Sequence, residues 1–439
     1  MNLWIYYSRE TWQMILEITF NNYRLFKGSN SLSFSADMRT KKLLSNTTKL
    51  DEKNVLKCVG LYGENNGGKT NVVNLLEILR CLLNGEVKGM INRSLFKDSP
   101  LSEFSITFNN GDGQGWLKYE LSFDSQNLSL PREKLSSIKF YENGAPFFKV
   151  IFEKDVENGR LTFFDADRSE YLDVLPSTRP FLYSVKTDEG LFSPLKAYLQ
   201  SLQCLASSIE VIRMYNIPLR KTMEALKGND KKQKDFIRSF VKSADLTIED
   251  FSYEKKPTLS SEGENDLIAE DALAKYVELQ DAFRLSTTYQ GVKVPSLFFD
   301  SSGTKKIEAL AAYVYEAISK GKFLVIDELD NGLHFNLTRA IVSAFNNLGN
   351  KKGQLFFTSH DLLLIDCKSL LRKDQICFSV RENGEAKLFC LKEAKIADGG
   401  PREGSDLLRY YQRGGFGKVP MPSFVKEVIS IGDGKRGDA

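Results

Sequence analysis

The sequence predicts an α/β protein in which a mixed central sheet is flanked by helices and carries an antiparallel β subdomain and an inserted helical subdomain. Three observations lead to this prediction. Apolar strand patterns followed by helical patterns stand near both ends of the chain. Short alternating segments separated by Gly, Asn and Asp fill residues 100–185, as in antiparallel hairpins. Leucines at helical spacing then run through residues 190–245.

The individual elements follow from the same periodicities. Residues 14–20 alternate and predict a strand, the apolar run at 55–62 predicts a buried strand, and a helix is expected from Thr70. Later in the chain the expected elements are a helix at 303–320, a buried strand at 323–326, a helix at 337–348 and a strand at 355–358.

The composition excludes several classes of protein. Hydrophobic residues make up 42% of the chain and charged residues 27%, which is typical of a folded globular protein. The 60 basic and 57 acidic residues give a net charge of +3, so the overall charge gives no reason to expect nucleic acid, although a local basic groove is still open. No apolar run approaches the roughly 18 residues of a membrane helix. Residues 1–10 lack the pattern of a secretory signal, so we expect no membrane and a cytoplasmic location.

The six cysteines give no sign of a metal site. They are Cys58, Cys81, Cys204, Cys367, Cys377 and Cys390. No two of them form a C-x-x-C pair, which argues against zinc. We therefore expect thiols in a reducing compartment rather than disulfides.

A glycine-rich motif between the buried strand and the first helix predicts phosphate binding. It matches G-x-x-x-x-G-K-[ST] and consists of Gly63, Glu64, Asn65, Asn66, Gly67, Gly68, Lys69 and Thr70. Glycines let backbone N–H groups close around phosphate oxygens, and the helix N-terminus adds a positive dipole end. Lys69 is expected to reach the β- and γ-phosphates of ATP, and the Thr70 hydroxyl to bind Mg²⁺.

Two carboxylates follow the apolar strand at 323–326. We expect Asp327 to hold Mg²⁺, directly or through water, and Glu328 to orient and polarise the attacking water. An acidic strand end is common in proteins, but in a chain with a phosphate-binding loop it predicts ATP hydrolysis rather than passive nucleotide binding.

A serine-glycine segment precedes the helix at 303–320. Ser301, Ser302 and Gly303 could be an ordinary helix N-cap. Alternatively, this helix N-terminus points at the γ-phosphate held by a second subunit, since serine hydroxyl and glycine N–H groups suit such a contact. The order of the motifs favours the second interpretation.

The chain has two histidines, and both fall near the predicted active site. His360 ends the strand at 355–358, where it could hydrogen-bond the γ-phosphate or the attacking water. We expect it to act as a switch residue. His334 follows Asp330 and Asn331 in a turn that we expect at the subunit interface, although a lone histidine is more often structural.

This set of motifs, in this order, resembles the ABC-type ATPases with their P-loop NTPase head, and within them the SMC-like branch. The sequence is most similar to RloA/AbiLi-like abortive-infection ATPases of bacteria. Four stretches carry the resemblance: MILEITFNNYRLFKG, SSGTKKI, VIDELDNGLH, and QLFFTSHD followed by LLRKDQICF. The segment GGFGKVP is similar as well.

The patterns along the chain divide it into an N-terminal extension at 1–13 (or a start at Met14), a first ATPase lobe at 14–185, a helical insert at 186–250 and a second lobe at 251–439. The resemblance implies ATP-driven closure of a homodimer or of higher assemblies of dimers, a role in anti-phage defence, and a separately encoded effector. Two features depart from the family pattern. His334 stands where Asp is usual, and the Q-loop glutamine is not placed, since Gln126 and Gln290 are both poor candidates.

Three alternative functions were weighed against this one. A compact RecF-like or SMC-like ATPase of DNA repair is still open, although long coiled-coil and zinc-hook patterns are missing from the sequence. A self-contained nuclease is not supported, since no strand ending in Asp-x-Asp follows His360. A transporter subunit is disfavoured because the serine-glycine segment is not LSGGQ.

Overall fold

The computed structural model describes residues 12–85, 101–111, 115–141, 144–175, 177–184, 190–245, 247–254, 284–366, 369–394 and 406–416, together with residues 424 and 428. Most of the N-terminal segment expected as an extension and Cys367 therefore lie outside the described residues. Within the described ranges, none of the helices has the length and apolar content needed to span a bilayer.

Fourteen of the described strands form one continuous mixed sheet. The strands of this sheet and of two smaller sheets are β1 (Ile15–Tyr23), β2 (Phe26–Ser33), β3 (Thr47–Leu50), β4 (Lys53–Leu56), β5 (Cys58–Tyr62), β6 (Leu101–Asn109), β7 (Trp116–Asp124), β8 (Ser129–Phe140), β9 (Pro146–Asp155), β10 (Arg160–Phe163), β11 (Ala166–Asp167), β12 (Ile209–Arg213), β13 (Asp250–Tyr253), β14 (Leu285–Tyr289), β15 (Val292–Pro295), β16 (Phe323–Asp327), β17 (Gln354–Thr358), β18 (Ile376–Glu382) and β19 (Glu385–Cys390). The order of the fourteen strands across the large sheet is β11-β10-β9-β8-β7-β6-β1-β2-β19-β18-β5-β17-β16-β12.

The helices lie on both sides of this sheet. The α-helices are α1 (Lys69–Leu83), α2 (Lys196–Ser208), α3 (Arg220–Lys227), α4 (Lys231–Ala244), α5 (Ser296–Phe299), α6 (Ser302–Lys320), α7 (Phe335–Phe345), α8 (Leu363–Asp366) and α9 (Leu407–Gln412). Short 3₁₀ helices cover Leu44–Asn46, Ser169–Val174, Phe181–Tyr183, Gly190–Leu195, Lys373–Gln375 and Leu391–Glu393.

The sheet has one parallel and one antiparallel half. Strands β18, β5, β17, β16 and β12 run parallel to one another. Strands β1 and β6 to β9 pair antiparallel. The mixed sheet with flanking helices and an antiparallel subdomain confirms the predicted fold class. It also places the strands that precede the predicted motifs side by side.

Two hydrophobic cores cover the two faces of the parallel half. Successive residues of a strand point to opposite faces, so Val59 and Leu61 join one core, while Cys58 and Tyr62 join the other. The first core contains α1, α2 and the antiparallel strands. The second contains α3, α4, α6 and α7. Burial on both faces explains why these strands read as almost continuous apolar runs.

One strand falls in the segment expected to be a helical insert. Residues 186–250 contain α2, α3 and α4, but β12 lies between them and pairs in parallel with β16. The expectation of a purely helical segment is wrong here, because Ile209 and Ile212 are buried against the sheet. Only five residues long, β12 is too short for its periodicity to stand out from the helical pattern around it. The domain boundaries themselves stay predictions.

The expectation that all six cysteines are thiols is also wrong. Cys377 and Cys390 face each other directly across β18 and β19, and their sulfur atoms are bonded. Cys58, Cys81 and Cys204 are thiols. A pairing of this kind depends on strand register, which the spacing of cysteines along the sequence does not show.

A buried ion pair holds the antiparallel subdomain together. Lys154 on β9 lies 3.2 Å from Glu133 on β8, and both side chains have no exposed surface. Glu133 also accepts hydrogen bonds from the Tyr119 hydroxyl at 2.7 Å and the Phe181 backbone N–H at 2.9 Å. The buried carboxylate of Glu133 therefore has three donors, namely the Lys154 ammonium group, the Tyr119 hydroxyl and the Phe181 N–H.

Replacing Lys154 by alanine is expected to lower the free energy of unfolding by about 3–5 kcal/mol, since it leaves a buried carboxylate without its cation. Urea denaturation followed by circular dichroism measures this loss. Lys149→Ala on the same strand is the control, and the double change Lys154→Met with Glu133→Gln should recover much of the stability. A loss below 1 kcal/mol would contradict the assignment.

Candidate functional site

The residues predicted to bind nucleotide gather at one edge of the parallel half of the sheet. Strands β5, β16 and β17 run parallel, with Phe323 opposite Gln354 and Leu355 opposite Cys58 in the register. Their carboxyl ends therefore meet at the same edge, which is where open α/β sheets bind ligands. The segments that leave these ends contain residues 63–70, 327–328 and 359–360.

The loop of residues 63–70, called the phosphate cradle below, adopts a conformation that its glycines permit. Gly63 and Gly68 have φ angles of +145° and +107°, a region that L side chains rarely adopt. A Cβ on Gly63 would lie 2.3 Å from the Ser379 carbonyl oxygen. The hydroxyl of Ser379 donates to the Gly67 carbonyl at 2.6 Å. Strand β18 therefore supports the cradle from below.

Lys69 is held inside the cradle by the carbonyls of the same loop. Its Nζ donates to the carbonyl oxygens of Gly63 and Glu64 at 2.8 and 2.9 Å. The side chain is 6% exposed, and burial lowers its pKa to about 8, although Asp327 and Glu328 act in the opposite direction. The ammonium group is therefore already positioned and partly desolvated. The described hydrogen bonds of Lys69 go to neutral carbonyl oxygens, and a polyphosphate would give the ammonium group an anionic partner.

The two predicted Mg²⁺ ligands differ in exposure and suit the ion chemically. Thr70 is exposed at the start of α1, whereas Asp327 is 1% exposed at the end of β16. The Thr358 hydroxyl donates to Asp327 Oδ1 at 2.7 Å, which fixes the carboxylate. In ATPase sites Mg²⁺ is held by one or two protein oxygens plus phosphates and water. A hydroxyl and a fixed carboxylate meet that requirement.

Glu328 occupies a turn with an unusual backbone conformation. Its φ angle is +56°, which is uncommon for a residue other than glycine. Its N–H donates to the Thr358 hydroxyl at 2.8 Å, and its carboxylate accepts from the Asn331 side-chain amide at 2.9 Å. The carboxylate is half-buried beside the strand ends. Strained residues of this kind concentrate at functional sites.

His360 lies beside the cradle and beside the turn of residues 328–331, called the acidic turn. Its backbone N–H donates to both oxygens of Asp330, at 3.2 and 3.3 Å. Burial and the nearby Lys69 lower the pKa of His360, against the opposing effect of Asp330, Glu328 and Asp327. A neutral imidazole at this position can accept a proton or share a hydrogen bond at neutral pH.

The serine-glycine segment forms the N-terminus of α6. Ser301 caps the helix, while Ser302 and Gly303 are its first two residues. Ser301 is the N-cap, and its hydroxyl accepts from the Thr304 N–H at 3.1 Å. Ser302 is exposed, and Gly303 is half-buried, with the Gly332 carbonyl 3.0 Å from where a Cβ would stand. The first N–H groups of a helix have no acceptor within it. Ser302 and Gly303 therefore offer a hydroxyl and N–H groups at one surface.

A lysine fastens this helix to the acidic turn. Lys306 Nζ donates to the backbone carbonyl and the side-chain oxygen of Asn331, both at 2.8 Å. Asn331 in turn donates to Glu328. The start of α6 is thus connected through two side chains to the carboxylate predicted to orient water.

His334 stands beside the start of α6, not beside the cradle. It is exposed and forms the N-cap of α7, where its Nδ1 accepts from the Asn336 N–H at 3.2 Å. It lines a surface pocket together with Ser301, Ser302 and Gly303. The capping role is a structural one that the sequence did not indicate. A role at a subunit interface stays a prediction.

Several contributors were missed by sequence reasoning. Thr358 and Ser379 lie in apolar strands and show their role only through contacts across the sheet. Lys306 looks like a surface lysine of a helix. Arg24, in the turn between β1 and β2, donates to the Asn71 side chain at 2.9 Å and so reaches the cradle helix. Its position in the polar turn NNYRLFK was the only local signal.

The two glutamine candidates lie in turns between strands. Gln126 connects β7 and β8, where its N–H donates to Asp124 at 2.8 Å. Gln290 connects β14 and β15 and has a φ angle of +49°. Neither position gives it a described contact with the cradle, so the glutamine is not assigned.

Comparisons with known proteins give a family and a set of weakly similar structures. A family model described as "AAA domain, putative AbiEii toxin, Type IV TA system" matches residues 58–366. No curated protein sequence matches the chain. One similar solved structure is the SMC head bound to the C-terminal winged-helix domain of ScpA, with a TM-score of 0.44 and 12% identity over 86% of this chain and 97% of that chain.

Two further structures show the same weak similarity. The SMC head domain from Thermotoga maritima has a TM-score of 0.39 and 10% identity over 86% of this chain and 98% of that chain. The recombination mediator RecF, in a complex labelled RecF-ATPrS, has a TM-score of 0.37 and 15% identity over 86% and 99% of the two chains. Similarity at this level carries no information on function.

Proposed function

The chain belongs to the AAA-domain family of P-loop ATPases whose model matches residues 58–366, and we propose that it binds and hydrolyses ATP in a site that a second copy completes. Closure of the two copies would make the protein a nucleotide-dependent switch of the ABC type. The cofactors of this proposal are ATP and Mg²⁺. The proposed place of action is the cytoplasm.

The cradle provides one half of the proposed site. Backbone N–H groups of residues 63–68 and the Lys69 ammonium group would hold the phosphates, and Thr70 and Asp327 would hold Mg²⁺. The metal ion would supply neutralisation of the phosphate charge. Glu328 would orient and polarise the attacking water, and the neutral His360 imidazole would contact the γ-phosphate or that water.

The start of α6 provides the other half, and its exposed serine beside the first N–H groups of the helix is the observation that carries the proposal. The first turn of α6, described in full, has no acidic residue and contains Lys305, whereas Lys306 in the next turn is bonded to Asn331. Helix N-termini ordinarily favour acidic side chains, because the helix dipole is positive there. The exposed Ser302 and the positive end of the helix therefore form a surface suited to an anion.

The anion would come from another copy of the chain. The contacts of Lys69 are with Gly63 and Glu64, whereas Ser301, Ser302 and Gly303 share a pocket with His334 and Gly332. The start of α6 thus lines a surface pocket with residues of the turn at 328–334 rather than with residues of the cradle. A γ-phosphate held by a second copy can approach the exposed serine from outside.

Mixing two inactive variants tests the shared site. Lys69→Ala removes the cradle cation, and Ser302→Glu repels phosphate while an acidic residue at that helix position favours folding. Each variant alone should lack ATPase activity. A mixture should recover up to about a quarter of wild-type activity, because half of the dimers then contain one intact pair of half-sites.

A matched control excludes recovery by other routes. A chain with both changes, mixed with Lys69→Ala, contains no intact cradle and should stay inactive. If the mixture of single variants also stays inactive while both fold normally, the start of α6 serves the cradle of its own chain, or none, and the proposal is wrong.

The biological role proposed is anti-phage abortive infection, with the switch controlling a separately encoded effector. The family description, which names a toxin of a type IV toxin–antitoxin system, supports this proposal. Similarity to RloA/AbiLi-like ATPases supports it as well.

Bacteria expressing the gene with its neighbours should plate phage less efficiently, and Lys69→Ala should abolish that protection. Equal plating with and without the genes, across a panel of phages, would contradict the defence role.

Nucleic acid is not part of the proposal. On the face of the antiparallel subdomain, opposite charges alternate across neighbouring strands, with Glu120 beside Lys134 and Lys134 beside Glu153. A surface that binds the nucleic-acid backbone would need an excess of basic side chains instead. DNA-stimulated, salt-sensitive ATPase activity would favour the alternative of a compact DNA-repair ATPase.

A further inference from the structure

Two buried carboxyl groups lie next to each other beneath the serine-glycine segment. Asp300 directly precedes Ser301 and is 5% exposed, and Glu308, on the second turn of α6, has no exposed surface. Two ionised carboxylates cannot share such a site without a large cost, so one of them must carry a proton. Nothing in the proposed ATPase reaction uses either group.

Hydroxyl groups from neighbouring elements complete the arrangement. Asp300 accepts from the hydroxyls of Thr287 and Tyr289, both on β14, and the Tyr289 contact measures 2.6 Å. Glu308 accepts from the Ser296 hydroxyl at the start of α5. Asp300 thus accepts two of these described hydrogen bonds and Glu308 one, so Asp300 is the ionised partner. Glu308 Oε1 is buried and has no hydrogen-bond donor among the described residues. A proton on this oxygen could be donated to the Asp300 carboxylate.

The groups facing Glu308 agree with this assignment. Burial and the adjacent Asp300 together raise the pKa of Glu308 to about 9, against the lowering effect of the Ser296 hydrogen bond and of Lys305. The pKa of Tyr289 is raised by burial and by its hydrogen bond to Asp300, with Asp245 acting in the same direction. Glu308 is therefore protonated at neutral pH, and Asp300 is ionised.

The pair connects two parts of the molecule. Strands β13, β14 and β15 form a separate three-stranded sheet inserted before α6. Asp300, which directly precedes the serine-glycine segment, is hydrogen-bonded to Thr287 and Tyr289 of this small sheet. Asp300 also lies next to Glu308, which belongs to α6. A shift of the small sheet would therefore move the start of α6.

We propose that Asp300 and protonated Glu308 are positioning residues that hold the Ser302–Gly303 half-site in register with the inserted sheet. This inference rests on the proposed function, in which that half-site binds the partner's phosphate. It adds a connection by which a shift of the inserted sheet would reach the half-site that closes the dimer. The chemistry needed is one neutral carboxyl group donating to one carboxylate.

Amide hydrogen exchange in the ATP-free chain tests the pair without requiring a dimer. Glu308→Ala and Asp300→Leu remove the connection, and exchange over residues 296–306 should accelerate about tenfold or more. Glu308→Gln keeps a donor toward Asp300 and an acceptor for Ser296, so exchange should stay within about twofold of wild type. Glu224→Gln, an exposed change on α3, is the matched control.

A pH series separates a protonated glutamate from an ordinary buried one. The free-energy cost of keeping Glu308 protonated grows as the pH rises above 4.5, the ordinary pKa of a glutamate carboxyl group. The buried group itself ionises near pH 9. Exchange at 296–306 in the wild type, normalised to an unrelated peptide, should therefore rise between about pH 5 and pH 9 and level off above pH 9. Glu308→Gln should not show this rise. An identical rise in both proteins would overturn the proposal.

Dimerisation then links the pair to function. ATP-dependent dimers, measured by sedimentation, should form about tenfold more weakly with Glu308→Ala but normally with Glu308→Gln, while ATP binding to the cradle stays unchanged. Failure of the wild type to dimerise would contradict the proposed function alone. Wild-type exchange and wild-type dimerisation in Glu308→Ala and Asp300→Leu would contradict the positioning role alone.

Discussion

Lys69→Ala abolishes detectable ATP binding in our account, with the affinity falling by at least about 100-fold. The reason is geometric. Lys69 Nζ is fixed by two carbonyl oxygens of the cradle at 2.8 and 2.9 Å and is almost fully buried. No other described cation occupies that position inside the loop. Isothermal titration calorimetry with ATP and Mg²⁺ measures the loss.

Two controls distinguish a lost ligand contact from a lost fold. Lys232→Ala removes an exposed lysine on α4 and should leave ATP affinity unchanged. The melting temperature of Lys69→Ala without nucleotide should equal or exceed that of the wild type, since burial already disfavours the ammonium group there. ATP affinity within threefold of wild type would remove Lys69 from the binding site.

Glu328→Gln separates binding from turnover. The amide can still accept the hydrogen bond from Asn331, so the turn should keep its shape. It cannot polarise water as a carboxylate does, and turnover should fall roughly 10²- to 10⁴-fold. ATP binding should remain close to wild type. Single-turnover kinetics together with equilibrium binding measure the two effects separately.

The same variant should accumulate the closed dimer. Because ATP would stay bound without hydrolysis, sedimentation with ATP and Mg²⁺ should show a dimer for Glu328→Gln and a monomer for the chain that also carries Lys69→Ala. Glu52→Gln, an exposed change, should behave as wild type. Undiminished turnover in Glu328→Gln would mean that another group activates the water.

The parts of the site that the sequence predicts are those formed by neighbouring residues. The cradle, the acidic strand end and the start of α6 each depend on a short segment, and parallel strands bring the first two to one edge of the sheet. Glycine at 63 and 68 is needed for a local backbone conformation, so a sequence motif preserves that information.

The parts that could not be predicted depend on contacts between distant segments. Ser379 touches Gly67 from β18, and Cys377 meets Cys390 because of the β18–β19 register. Such contacts leave no periodic signal in the sequence. The buried partner of Glu308 was missed for a related reason. On a helix with an apolar stripe, one glutamate reads as part of the solvated face unless the opposite wall is known.

A structure of Glu328→Gln with ATP and Mg²⁺ tests the shared site most directly. Our account predicts a dimer in which the Ser302 hydroxyl and the Gly303 N–H lie about 3 Å from the γ-phosphate oxygens held by Lys69 of the other copy. It would be contradicted by nucleotide bound in the cradle while both α6 N-termini stay packed against their own chains, away from any phosphate.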